Sequence, residues 1–156
     1  MTRKTYSVES EPIDDVYDKL IEVASQFCKR GMLVTRATVD MSRNGLELLQ
    51  RLIAFNGEEQ ESSEWPGTRL LRGAATVVTF DLNRESQALL KSVRRLYGWQ
   101  QPQWPEDLCL LRGDGSTWLG STAHEEDAFL ELDEGEVLHL QRSIPEMTIT
   151  PDMPEQ

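Results

Sequence analysis

The strongest constraint on the fold is a change of hydrophobic period between residues 12 and 39. Over residues 12–29, apolar side chains recur at three- and four-residue spacing, which predicts an amphipathic helix. Pro12 suits its first position, and Gly31 can adopt the left-handed conformation that ends it. Residues 32–39 then alternate β-branched and polar side chains, which predicts a strand. We therefore expect helices packed against a sheet.

Similar patterns predict the remaining elements. Two further helices are expected over residues 42–55 and 84–97, and the best strand region is 68–82. Gly113-Asp-Gly115 is a hairpin signal that joins short strands at 107–112 and 116–122. Residues 127–132 fit either a strand or the approach to a last short helix at about 134–142.

These elements predict an α/β or α+β fold. We expect a mixed, partly antiparallel sheet of four to six strands, with about three to four helices packed on it as a single-layer sandwich. The length of 156 residues fits one domain, which we assign to residues 1–142. Residues 143–156 contain three prolines and no periodicity, so we predict an extended or mobile tail.

The acidic charge is confined to one part of the sequence. Residues 101–156 carry thirteen of the 27 Asp/Glu and two of the 16 Lys/Arg, whereas residues 1–100 carry fourteen of each. The whole net charge of −11 therefore comes from the last third. A negative net charge argues against nucleic-acid binding and fits a basic protein partner. Such a charge also increases solubility.

The composition also predicts the cellular location and the state of the cysteines. No segment has the apolar length of a signal peptide core or a membrane span, so we expect a cytoplasmic protein without membrane contact. Cys28 and Cys109 lack metal or redox spacing and lie in apolar patterns, which predicts reduced core residues. No phosphate-binding glycine motif is present, and we predict no cofactor.

Two groups of residues could form a metal site or a catalytic site, but in each group the sequence pattern does not bring the side chains together. His124 precedes Glu125, Glu126 and Asp127, yet consecutive residues do not converge on a metal ion, which favours a solvated or partner-facing loop. Glu106 and Asp107 could act as paired carboxylates, but neighbours on a strand face opposite sides. We therefore predict neither a catalytic residue nor a metal site.

Several short segments resemble a group of small bacterial proteins of unassigned role, some of which carry the label stage III sporulation protein AH. The resemblance spans about residues 60–135 and rests on Ser63-Glu-Trp-Pro-Gly-Thr68, Pro105-Glu-Asp-Leu-Cys109, Arg112-x-Asp-Gly115, Trp118-Leu119, and Ala123-His-Glu125 with Asp127-Ala128. It implies a bacterial origin and a small stand-alone domain, without catalytic residues to transfer. Such acidic domains are similar in general build to immunity proteins, which neutralise a toxin by covering its active site.

These observations favour an acidic protein-binding domain, most concretely an immunity protein or inhibitor that docks on a basic bacterial toxin or effector. The alternative is a small enzyme or ligand-binding domain with a pocket near Trp104, Trp118 and His124. Loop tryptophans either anchor interfaces or pack at sheet edges, and we assign Trp104 to the binding surface. The other predicted partner-binding residues are Glu125, Glu126, Asp127, Asp133, Glu134 and Glu136, with Glu58, Glu59 and Glu61 as a second patch.

Overall fold

The computed structural model describes residues 2–152, which form an α+β fold of four α-helices and ten strands. The helices are α1 (Asp14–Phe27), α2 (Arg43–Ile53), α3 (Arg84–Lys91) and α4 (Glu134–Ser143), with 3₁₀ turns at Leu96–Gly98 and Ala123–Glu125. The strands are β1 (Lys4–Val8), β2 (Cys28–Thr35), β3 (Glu58–Ser62), β4 (Glu64–Trp65), β5 (Thr68–Arg69), β6 (Ala75–Asp81), β7 (Glu106–Arg112), β8 (Thr117–Thr122), β9 (Asp127–Leu132) and β10 (Ile149–Pro151).

Eight of these strands form one sheet in the order β10-β1-β9-β8-β7-β2-β6-β3, and every neighbouring pair is antiparallel. The remaining two, β4 and β5, form a separate hairpin. The predicted mixed sheet of four to six strands is therefore wrong, both in strand number and in the presence of parallel pairs.

The physical reason lies in the connections and in three strands without a clear pattern. Helix α1 joins β1 to β2, but three other strands separate these two in the sheet, so the helix is not a crossover between parallel neighbours. Strand β3 is exposed along its length and so shows no alternation of polar and apolar residues. Strands β1 and β10 are too short to show a period, and β10 lies in the segment predicted as a tail.

Three of the four helices begin at a side-chain cap, and α1 is the exception. The Oγ of Ser42 accepts a hydrogen bond from the backbone N–H of Gly45 and begins α2, as the sequence predicted. Asp133 and Glu136 form a reciprocal capping box that begins α4, which confirms the predicted last helix. The helix predicted over 84–97 ends earlier, at Lys91, and Arg94 adopts a positive φ of 73°.

The two faces of the sheet are covered differently. On one face, Leu33 and Phe80 belong to a large core that includes side chains from all four helices. Alternate residues point the other way, and Val34 and Val77 pack with Trp65 of the β4–β5 hairpin in a second, smaller core. The hairpin thus covers part of the sheet face that the helices leave open.

Residues near the chain ends also join the sheet. Strand β10 pairs with β1, and the backbone N–H of Asp152 donates to the carbonyl of Thr5. The rest of the predicted tail, residues 153–156, lies outside the described residues. Within residues 2–152, no helix combines the length and the apolar character needed to cross a membrane.

Both cysteines lie in the interior, as predicted. Cys28 and Cys109 are free and buried, and burial raises the pKa of each thiol to about 12. They are therefore protonated packing residues at neutral pH.

Gly31 sits directly opposite Phe80 on the neighbouring strand, in the main core. A Cβ at this glycine would lie 2.5 Å from the buried Phe80 ring, so Gly31→Ala forces the ring to move inside a packed core. We expect a loss of about 1–3 kcal/mol in the free energy of unfolding, measured by urea denaturation. The matched control is Gly113→Ala, whose Cβ would meet its nearest atom at 3.4 Å. Equal losses in the two variants would contradict the close contact.

Candidate functional site

Acidic side chains from distant parts of the sequence meet at one end of the sheet. Strand β7 begins at this end, β8 ends there and β9 begins there, because all three are antiparallel neighbours. The end of β1 lies beside the start of β9, which brings in the residues that follow β1. We call this surface the acidic end and define it by Glu9, Glu11, Glu106, Asp107, Glu125, Glu126 and Asp127.

An irregularity in β7 shapes the centre of the acidic end. Met32 of β2 pairs with Cys109 and Val34 with Glu106, so two residue steps on β2 oppose three on β7. Asp107 lies within this bulge and has a positive φ of 57°. Bulges redirect side chains, and here carboxylate oxygens of Glu106 and Asp107 lie within 4.8 Å of each other and of a ring nitrogen of His124. The expectation that adjacent carboxylates face opposite sides is wrong at this bulge.

The Asp107 carboxylate is held firmly by two other parts of the chain. Its Oδ2 accepts a hydrogen bond from the indole Nε1–H of Trp65 at 3.1 Å, and its Oδ1 accepts one from the backbone N–H of Ala123 at 3.0 Å. The Asp107 backbone N–H donates to the carbonyl of Trp99 at 3.1 Å. Because the residue is 1% exposed, these bonds compensate the burial of its charge.

Glu106 is buried beside an arginine. The residue is 9% exposed, and its Oε1 lies 3.4 Å from the Nε of Arg36. Burial raises the pKa of the Glu106 carboxyl, Arg36 opposes that rise and Asp107 adds to it. The Arg36 guanidinium carbon also lies 5.6 Å from the centre of the Trp65 ring, a cation–π distance.

His124 is the exposed member of the group. It lies in the 3₁₀ turn Ala123–Glu125, after which Glu126 takes a left-handed φ of 52°. Half of the His124 side chain is exposed, and its Nε2 lies 3.8 Å from the Oε1 of Glu125. The Ala123 hydrogen bond to Asp107 fixes the turn, which keeps a His124 ring nitrogen within 4.8 Å of a carboxylate oxygen of each acid.

The predicted partner-binding residues fall into separate places. Glu125, Glu126 and Asp127 lie together at the acidic end. Asp133 and Glu134 follow β9 and therefore lie at its other end. The patch formed by Glu58, Glu59 and Glu61 lies on β3, five strand positions away from β9 in the sheet, which corresponds to about 24 Å. The structure thus places the exposed residues of the first predicted patch at opposite ends of β9 and keeps the second patch apart from both.

Glu136 is part of the interior. Its carboxylate accepts a hydrogen bond from the Arg112 Nη2 at 2.7 Å, and both side chains are 8% exposed. Arg112 also donates to the backbone carbonyls of Thr117 and Glu131. A residue enclosed in this network offers no surface to a partner, so Glu136 does not enter the binding surface considered below.

The three residues of the alternative pocket lie in different surroundings. Trp104 lines a groove between α2 and α3 and contacts Trp99 edge to face, with ring centres 6.4 Å apart. Trp118 is fully buried and stacks on Phe27. His124 stands at the acidic end, and the two grooves that Trp104 lines contain neither His124 nor Trp118. The three side chains therefore share neither of these two grooves.

A comparison of the chain with protein-family models, curated proteins and solved structures yields no match. The site therefore rests on its own geometry. Sequence reasoning missed Arg36 and Trp65 as neighbours of the carboxylates, because both come from elements far away in the chain. The available signal in the sequence was that Glu106 and Asp107 are adjacent. Their carboxylates come together only because β7 bulges at this point.

Asp107→Asn tests the fixed carboxylate. Asn tolerates a positive φ and matches the shape, but its amide group leaves either the Trp65 or the Ala123 donor facing another donor. We expect a loss of about 1–3 kcal/mol in the free energy of unfolding, measured by urea denaturation. Asp127→Asn, at an exposed position, is the control and is expected to change stability by no more than about 0.5 kcal/mol. A neutral effect of Asp107→Asn would show that the carboxylate bonds are dispensable.

Glu136→Ala tests the interior ion pair. The change leaves the Arg112 guanidinium buried beside an empty space and also removes part of the α4 cap. We expect the free energy of unfolding to fall by about 3–5 kcal/mol, measured by chemical denaturation. Glu134→Ala, at the neighbouring exposed position, serves as the comparison, and losses of the same size in both variants would argue against the buried pair.

Proposed function

We propose that the protein is a protein-binding domain, an immunity protein or inhibitor whose acidic end docks on a basic bacterial toxin or effector in the cytoplasm. The observation that carries the proposal is a group of exposed carboxylates at one end of the sheet, none of which lies within ion-pair distance of a Lys or Arg among residues 2–152. These are Glu9, Glu125, Glu126 and Asp127, which come from two distant segments of the chain.

The carboxylates of the acidic end differ in whether a cationic side chain of the same molecule neutralises them. Glu11 is neutralised by two hydrogen bonds from Arg95, at 2.8 and 2.9 Å. Among residues 2–152, no Lys or Arg lies within ion-pair distance of Glu9, Glu126 or Asp127. These carboxylates are therefore available to an external cation.

The electrostatic effect of this surface reaches a neighbouring tyrosine. Burial, and then the negative charges of Asp127, Glu11 and Glu126, raise the pKa of Tyr97 to about 12. A surface potential of this sign attracts a basic partner, speeds its encounter and disfavours acidic competitors. Because opposite charges on exposed surfaces are screened by salt, binding should weaken as ionic strength rises.

The backbone beneath the carboxylates is already in place for binding. The Ala123 N–H is bound by Asp107, and the Gln100 side chain donates to the Ala123 carbonyl at 3.3 Å. On the other side of the turn, Asp127 begins β9 and pairs with Thr122 of β8. A surface fixed in this way loses little conformational freedom on docking, which favours affinity.

The test uses the whole protein immobilised as bait in a bacterial lysate, followed by binding measurements with the identified partner. The triple variant Glu125→Lys/Glu126→Lys/Asp127→Lys reverses the charge of the turn at the acidic end. We expect a basic bacterial protein to bind the wild type and its Kd to rise at least about tenfold in the variant, as measured by calorimetry. If the partner is toxic, co-expression of the wild type should restore growth and the variant should not.

The matched control reverses three exposed carboxylates elsewhere, in Glu47→Lys/Glu85→Lys/Glu134→Lys. It changes the net charge by the same amount and should keep the wild-type Kd within about threefold, with thermal unfolding used to verify folding. An unchanged Kd in the acidic-end variant, or an equal loss in the control, would refute the acidic end as the docking surface.

A further inference from the structure

We propose that Glu106, Asp107 and His124 form a binding site for a divalent transition-metal ion, with Zn²⁺ as the best match. One oxygen from each carboxylate and one ring nitrogen lie within 4.8 Å of one another. The inference does not depend on the proposed partner binding, since it rests on the interior of the acidic end and not on its exposed carboxylates.

The donor set suits a borderline metal ion. One imidazole nitrogen with two carboxylate oxygens is a ligand combination for Zn²⁺, and three protein ligands leave a position for water. Ligand atoms around a tetrahedral Zn²⁺ lie roughly 3.3 Å apart, so the present separations need to shorten by about 1.5 Å at most. Rotation of the exposed His124 side chain can shorten its distances to the two carboxylates, and the Glu106 side chain can adjust its distance to the fixed Asp107.

Glu106 keeps part of its carboxylate free for a metal ion. The residue is 9% exposed, yet within residues 2–152 no donor makes a hydrogen bond to its carboxylate. Its one ionic contact, with the Arg36 Nε at 3.4 Å, does not satisfy that nitrogen, which remains buried without a hydrogen bond. The Glu106 oxygens are not fully enclosed, so a metal ion can reach the side of the carboxylate that Arg36 leaves free.

Asp107 has the environment of an oriented metal ligand. The Trp65 indole and the Ala123 backbone each occupy one lone pair, one on each carboxylate oxygen. Each oxygen keeps a second lone pair for a metal ion. Hydrogen bonds of this kind orient the side chains that bind a metal ion directly, and they raise metal affinity in known sites.

The contact between Arg36 and Glu106 leads to a prediction that is specific to this metal site. Its guanidinium is positively charged and contacts Glu106 through Oε1, so it competes with a metal ion for the same carboxylate. Replacement by glutamine removes this competition. A metal site at Glu106 therefore predicts that Arg36→Gln binds Zn²⁺ more tightly than the wild type, which a metal ion held only by surface carboxylates would not do.

The experiment titrates the chelator-treated, full-length protein with ZnCl₂ by calorimetry, and with Co²⁺ by visible absorption to report nitrogen and oxygen coordination. We expect one ion per chain, a Kd at least about tenfold higher for His124→Ala and for Glu106→Gln, and a lower Kd for Arg36→Gln. A ZnCl₂-dependent rise in the melting temperature should accompany binding in the wild type and be absent in His124→Ala.

The control is Glu125→Gln, which removes the exposed carboxylate next to His124 and should leave the Kd within about threefold of the wild type. His124 is exposed, so His124→Ala is expected to fold even if Glu106→Gln does not, and circular dichroism verifies this. Absence of Zn²⁺ binding to the wild type, or an unchanged Kd in His124→Ala, would overturn the site.

Discussion

The Asp107 carboxylate is the interaction on which the architecture of the acidic end depends. It joins three parts of the molecule that are distant in sequence: the bulge in β7, the β4–β5 hairpin through Trp65, and the 3₁₀ turn through Ala123. The two strands of the hairpin pair only with each other, so contacts such as this hydrogen bond and the packing of Trp65 hold it against the sheet. A single buried charge thereby fixes both the cover of one sheet face and the loop that carries the exposed acids.

The sequence could predict the elements whose pattern is local. Helix α2 with its Ser42 cap and helix α4 with its capping box follow from chemistry within a few residues, and so does the pairing of β7 with β8 around Gly113-Asp-Gly115. The sheet size could not be predicted in the same way. An exposed edge strand such as β3 buries neither face, so its residues carry no periodic signal, and its pairing is decided by the distant β6.

The candidate site was less predictable than the fold, because it depends on a bulge and on contacts between distant residues. A strand of ordinary geometry would place Glu106 and Asp107 on opposite faces, and only the left-handed conformation of Asp107 brings both towards His124. The charge count showed the same limit. It located the acids along the chain but could not show that Glu136 is enclosed by Arg112, or that Glu9 joins the surface from the N-terminal segment.

The two edges of the large sheet differ in a way that affects contact between copies of the protein. An open eight-stranded sheet presents unpaired backbone groups along its outermost strands, which are templates for adding another strand. At one edge, β3 carries Glu58, Glu59 and Glu61, so a second copy approaching side by side meets like charge. At the other, β10 is three residues long and ends at Pro151, which has no backbone N–H to donate. Edge-to-edge polymerisation of the sheet is thus opposed by repulsion on one side and by the lack of a continuous donor row on the other.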